Sequence, residues 1–96
     1  LHPAMVTAIP TIMQVFARHG SQSTITSGNE GKHGPNSLHK VIPCCALDWR
    51  TWADRQGTQM DVGIKTAIAM DMRAELGSDF DCVVEATHIH TEYDPK

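Results

Sequence analysis

Three cysteines are too few, and too awkwardly placed, for a disulfide framework. Cys44 and Cys45 are neighbours, and a vicinal bridge is strained. Reduced thiols are expected, with a bridge from Cys82 to one of that pair as the alternative. No Cys-x-x-Cys knuckle is present, which excludes a thiolate-ligated structural zinc. Positive charge is also scarce. The net charge is −3 and no basic stripe occurs, so nucleic acid is not an expected partner. No apolar run is long enough to span a bilayer, so a membrane is not expected either. Internal repeats and low-complexity tracts are missing. The chain opens on Leu1, so the lack of a signal peptide excludes nothing. Its 96 residues suit one domain over 1–96, near the size where a single core just suffices.

Local patterns give an element order. Ala4 to Arg18 is predicted to be a helix, with Met5, Ile9, Ile12, Met13 and Phe16 on one face. Pro3 suits the first turn, Pro10 predicts a kink or a late start near Thr11, and Gly20 a stop. Ser23 to Ser27 is short and β-prone. Gly28 to Asn36 is a loop by every local signal, and a long polar loop in a small domain points to function. Cys45 to Arg50 is a second strand, with Ala46 and Asp48 on one face and Leu47 and Trp49 on the other. Gly57 marks a break. Met60 to Leu76 is a second helix with an apolar stripe of Ile64, Ala67, Ile68, Met72 and Leu76, closed by Gly77. Phe80 to Glu85 and Thr87 to Tyr93 are two further strands joined tightly at Ala86. The sum is an α+β domain: two helices packed on a small antiparallel sheet.

Two segments carry most of the chemistry. Ser37-Leu38-His39 and Ala46-Leu47-Asp48 supply a His and an Asp; Glu85-Ala86-Thr87-His88-Ile89-His90 supplies a Glu and two His. Two imidazoles and a carboxylate make a catalytic zinc site with one position open to water, and a separate carboxylate can act as base. Asp48 stands inside an apolar strand, a costly place for a carboxylate without a partner or a metal. His88 and His90 leave their strand on one face, ~6.5–7 Å apart along the backbone. The bland readings are a surface loop residue for His39, a solvent-facing stripe for the two strand His, and a solvated strand end for Glu85. Arg50 shares the face of Asp48 and could steady it, bind a substrate carboxylate with its planar fork, or simply be a surface Arg. Trp49 and Trp52 read as core. His2, His19 and His33 are given no role.

The same residues resemble the zinc peptidases that cleave bacterial cell-wall peptides. That group holds D-alanyl-D-alanine carboxypeptidases and dipeptidases, phage L-alanyl-D-glutamate endolysins, and the Hedgehog signalling domain, which keeps the zinc site. The family pattern is Ser-x-His-x-x-Gly-x-Ala-x-Asp, followed later by an acidic residue shortly before a His or a His-x-His. Ser37, His39, Ala46 and Asp48 match the first part, with Arg50 following as it often does in phage members; Glu85, His88 and His90 match the second. Ile25-Thr26-Ser27-Gly28 is similar to the strand before the active-site loop, and His88 to Pro95 is similar to phage-encoded members. The stretch from His39 to Asp48 is longer than in the family, and Cys44 stands where Gly is usual.

The resemblance implies a Hedgehog-like peptidase fold and a Zn²⁺ held by His39, Asp48 and His90, with Glu85 as base and His88 and Arg50 stabilising the oxyanion. The other alignment of the His-x-His makes His88 the ligand and Glu85 its close partner. The activity implied is cleavage of peptidoglycan stem peptides, of carboxypeptidase or endolysin type, by a monomer of phage origin acting at the cell wall. Two other readings stand beside it. One is a non-catalytic, Hedgehog-like zinc domain that binds a partner and needs no base. The other is a His-Asn-His type nuclease using Asn36, His39 and His88, which lacks the expected basic surface.

Overall fold

The computed structural model describes residues 1–27 and 45–95. The polar loop, with Ser37, His39 and Cys44, lies outside the described residues. Element order is α1 (Pro3–Arg18), β1 (Ile25–Ser27), β2 (Ala46–Arg50), α2 (Val62–Leu76), β3 (Phe80–Val84) and β4 (His88–Tyr93). The four strands form one antiparallel sheet in the order β1-β2-β4-β3. The molecule is thus a small α+β domain with two helices on a four-stranded antiparallel sheet.

Helix α1 starts where its sequence allows: His2 Nδ1 accepts the backbone N–H of Ala4, and Pro3 fills the first turn, where a missing N–H costs nothing. It then runs unbroken through Pro10 to Arg18. The expected kink or late start does not occur. Met5 and Ala8 before the proline, and Ile12, Val15 and Phe16 after it, are all buried on one face. Burial of these side chains, at about 1.5–3 kcal/mol for each large one, offsets the hydrogen bond that Pro10 cannot make. Met13 is half exposed rather than in the stripe.

Helix α2 is capped by Asp61, whose carboxylate accepts the Gly63 N–H, and ends at Gly77, which takes φ +88°. Its buried positions are Lys65, Ile68, Ala69 and Met72. Ile68 and Met72 of the expected stripe are buried and Leu76 packs against the core, but Lys65 and Ala69 are covered as well, and Ile64 faces solvent. Lys65 lays its apolar stem along the core, and its Nζ donates to the Ala86 carbonyl at 2.7 Å. The helices are joined by a hydrogen bond between His19 Nε2 and Asp71 Oδ2 (2.7 Å) and by the Arg18–Glu75 ion pair (3.2 Å). His19 therefore has a structural role that its surroundings in sequence do not suggest.

The core lies between the helices and one sheet face. Leu47 and Trp49 of β2, Cys82 of β3 and Ile89 of β4 meet the α1 and α2 stripes there, with Phe16 packed near Trp49. Because strand side chains alternate, the other face receives Ala46, Asp48 and Arg50 from β2, and His88, His90 and Glu92 from β4. Register then sets the pairs: Asp48 is opposite His90, Arg50 opposite His88, and Ala46 opposite Glu92.

Candidate metal centre on the outer sheet face

Strand β4 brings three polar side chains to one side at alternate positions, and β2 supplies the facing carboxylate. His90 Nδ1 lies 2.7 Å from Asp48 Oδ1, and His88 Nε2 lies 3.7 Å from the same oxygen. On its far side His90 Nε2 lies 2.6 Å from Glu92 Oε1. All four side chains are mostly sheltered: Asp48 is 13%, His90 18%, Glu92 24% and His88 29% exposed. Thr87 Oγ1 is 3.2 Å from His88 Nδ1, which leaves the His88 Nε2 edge turned to Asp48.

His90 is thus clasped by two carboxylates. Partial burial disfavours its charged form, but the hydrogen bonds to Asp48 and Glu92 outweigh that and raise its pKa above the ordinary imidazole value of 6.5. In the protonated ring both N–H groups donate, one to each carboxylate. The same geometry suits a metal ligand. A metal-binding imidazole usually gives its second N–H to a carboxylate, which sets the tautomer and holds the ring. Glu92 is placed to do that at Nε2, turning the lone pair of Nδ1 towards Asp48.

The donor set can be tested against zinc. Ligand atoms of a tetrahedral ion bound at about 2.0–2.1 Å stand about 3.3 Å apart. The two His nitrogens, at 2.7 and 3.7 Å from Asp48 Oδ1, bracket that separation. A carboxylate and imidazoles are also the ligand types zinc favours. Asp48 and His90 thus offer donor types that suit zinc. His88, although near the same oxygen, does not complete a three-residue group whose ligand atoms all lie within 4.8 Å of one another, and His39, the third expected ligand, lies outside the described residues.

The structure brings Asp48, His88 and His90 together and places the other expected site residues around them. Glu85 is exposed in the turn between β3 and β4; its backbone N–H donates to the His88 carbonyl at 2.8 Å. The Ala86 carbonyl in the same turn is the one pinned by Lys65. Arg50 lies along the same face, its guanidinium 3.9 Å from the centroid of the Trp52 ring. Trp49 is core, as expected, but Trp52 is not: it is 39% exposed and lines a cleft. It falls beyond the end of β2, in a loop.

Two features were missed in the sequence. Glu92 is the fourth member of the cluster, and the signal was there: it sits two residues past His90 on the same strand. The second is an acidic group, Asp81, Glu92 and Asp94, whose carboxylates come within 4.8 Å of one another. Partly exposed acids gather this way without an ion, and their positions in sequence give no signal.

No protein-family model, curated protein or solved structure matches the chain. Among the described residues, no helix is long and apolar enough to cross a membrane.

Proposed function

We propose that this protein is a zinc-dependent peptidase acting on peptidoglycan stem peptides, with a Hedgehog-like peptidase fold. One observation carries the reading: Asp48 and His90 face each other across β2 and β4, 2.7 Å apart, with Glu92 holding the far nitrogen of His90. A lone surface histidine has no need of that support. Asp48, His88 and His90 lie on β2 and β4, the two central strands of the sheet.

Asp48 and His90, with His39 from the loop, would hold Zn²⁺; His88, turned to the same carboxylate, is kept for the substrate. Zinc supplies Lewis acidity and lowers the pKa of water towards neutrality. Glu85 takes the proton of the attacking water and delivers it to the leaving amine. Its turn is held by the backbone bond to His88 and by Lys65, which limits how far the carboxylate can wander. His88 Nε2 donates to the oxyanion of the tetrahedral intermediate.

Elemental analysis together with release of free amines from purified muropeptides tests the reading. The expected result is about one Zn²⁺ per chain and measurable turnover, both lost in Asp48→Ala. A wild-type protein that takes up no zinc would sink the proposal. Full zinc loading with no turnover would favour the non-catalytic zinc domain, in which the same cluster serves stability and a partner surface.

A further inference from the structure

Beside the candidate metal centre lies a cleft of about 410 Å³. It opens where the polar row of β2 continues past the strand: Asp48, then Arg50, then Trp52. Its walls are the backbone after α1, from Gly20 to Gln22, and the loop that carries Trp52, Asp54 and Arg55. Strand geometry places Arg50 ~6.5–7 Å along the backbone from Asp48. An extended peptide covers that span in about two residues.

The cleft is built rather than accidental. Arg50 is fixed at its backbone, where its N–H donates to the Thr24 carbonyl at 2.8 Å, and at its tip, which lies on the Trp52 ring. The loop is tied off by hydrogen bonds from Ala53 N–H to the Thr58 carbonyl and from Met60 N–H to the Thr51 carbonyl. Gly57 takes φ +90° and passes so close to Trp52 that a Cβ there would meet the indole at 3.4 Å. The loop's acid is spoken for: Asp54 Oδ1 accepts the backbone N–H groups of Gln56 and Thr58, and its bonds to Thr58 lower its pKa. Among the described residues no carboxylate pairs with Arg50 or Arg55. A chain with a net charge of −3 thus gathers two guanidinium groups in one concave site, Arg50 lying on the Trp52 ring, against a single carboxylate, Asp54, whose Oδ1 is turned to backbone N–H groups of its own loop.

We propose that this cleft is a carboxylate subsite: Arg50 and Arg55 hold a free carboxylate of the peptide whose scissile bond lies over Asp48 and His90, and Trp52 packs against its aliphatic part. The inference rests on the peptidase reading and deepens it, since it makes the substrate an acidic peptide. Planar guanidinium forks suit a carboxylate better than any neutral group. The carboxylate has two sources, the α-carboxylate at the peptide's end and the side chain of a glutamyl residue.

Binding can be read without turnover, with EDTA present, from the assigned Trp52 indole N–H signal in a titration. Three ligands are compared: a stem pentapeptide ending in D-alanyl-D-alanine, its C-terminal amide, and the same peptide with the glutamyl side chain amidated. One of the two amides should bind about tenfold more weakly, the loss expected for one charge-assisted contact, and this identifies the carboxylate held. Arg55→Gln should weaken the free pentapeptide by a similar factor and leave the affinity of that amide nearly unchanged. Arg55 is exposed in a loop, so an unchanged melting temperature will certify the variant; Arg50→Gln provides a second. Equal affinity for all three ligands overturns the subsite. So does an Arg55→Gln variant that weakens acid and amides alike. If zinc-loaded wild type turns over peptides while affinity ignores both arginines, the subsite fails and the peptidase reading stands. If carboxylate-dependent binding is found with no turnover at full zinc, the peptidase reading fails and the carboxylate site stands.

Discussion

The two faces of the sheet are made by the same strands and obey different rules. On the inner face Leu47, Trp49, Cys82 and Ile89 are almost wholly buried among helix side chains. On the outer face Asp48, His88, His90 and Glu92 lie directly behind them, sheltered only in part and tied to one another by hydrogen bonds. Residue alternation means that Trp49 lies between Asp48 and Arg50, and Ile89 between His88 and His90. Packing on one face therefore fixes geometry on the other: a slip of one residue between β2 and β4 would put Asp48 in the core and His90 out of its reach. The lesson is that the inner face should be read in stability and the outer face in chemistry.

That division can be broken or sharpened by experiment. The largest effect is expected on the outer side. Glu85→Gln keeps size and hydrogen bonding but removes the base, and turnover of muropeptides should fall by on the order of 10²–10⁴ with zinc content and fold unchanged. Equal rates for wild type and variant would remove Glu85 from the mechanism.

Next comes a matched pair on neighbouring residues of β4. Ile89→Ala empties a fully buried site and should cost about 2–5 kcal/mol in denaturant unfolding, while zinc still binds the folded fraction. His90→Ala should abolish zinc binding and leave the fold cooperative in EDTA. His88→Ala should keep most zinc and lose activity. If His88→Ala lost the metal and His90→Ala kept it, the ligand role would move to His88.

A smaller effect should appear where the faces communicate. Lys65→Met retains the buried stem and removes the bond to Ala86. Loss of that hydrogen bond and relief of a buried amine roughly offset each other, so the melting temperature should move little. Turnover should fall by about tenfold as the Glu85 turn loosens. A large drop in stability with unchanged turnover per folded molecule would make Lys65 purely structural.

The smallest effect is a pH dependence. The folded pKa of His90 lies above 6.5 because Asp48 and Glu92 together outweigh burial. In EDTA-treated protein this contribution is fully present below the unfolded imidazole value and is lost as pH rises through the folded one. Thermal stability in EDTA should therefore decline from about pH 6 towards pH 8. Stabilisation by added zinc should grow over the same range, since the metal competes with the proton on the ring. Parallel curves with and without zinc would show that the metal sits elsewhere.

Much of this was legible in the chain because it depends on near neighbours. The start of α1 followed from Pro3 and the end of α2 from Gly77, while the start of α2 at Val62, capped by Asp61 and two residues later than the expected Met60, came from the structure. Strand faces followed from strict alternation in Ala46–Arg50 and His88–Tyr93. Elsewhere a distant partner decided. Pro10 looked like a break until the burial on both sides of it was seen. Trp52 looked like core by its type, but its place in a loop off the end of β2 made it a cleft wall. That Lys65 rather than Ile64 is covered at the start of α2 cannot be read locally, because both are compatible with a helix and only the packing of the fold selects between them.

By itself the sequence determined the element types and the residues with chemistry to offer: Asp48, Glu85, His88 and His90 are marked out by type and spacing alone. It also determined that His88, His90 and Glu92 share a face, since a strand's period of two is a property of one segment. Tertiary structure decided that Asp48 stands opposite His90 rather than Thr91, that Glu92 holds the second ring nitrogen, and that Arg50 turns onto Trp52 beside a cleft. The physical reason is the same in each case. Local preferences act within a turn or a strand, whereas register and helix rotation are set by which apolar set from distant segments buries the most surface together.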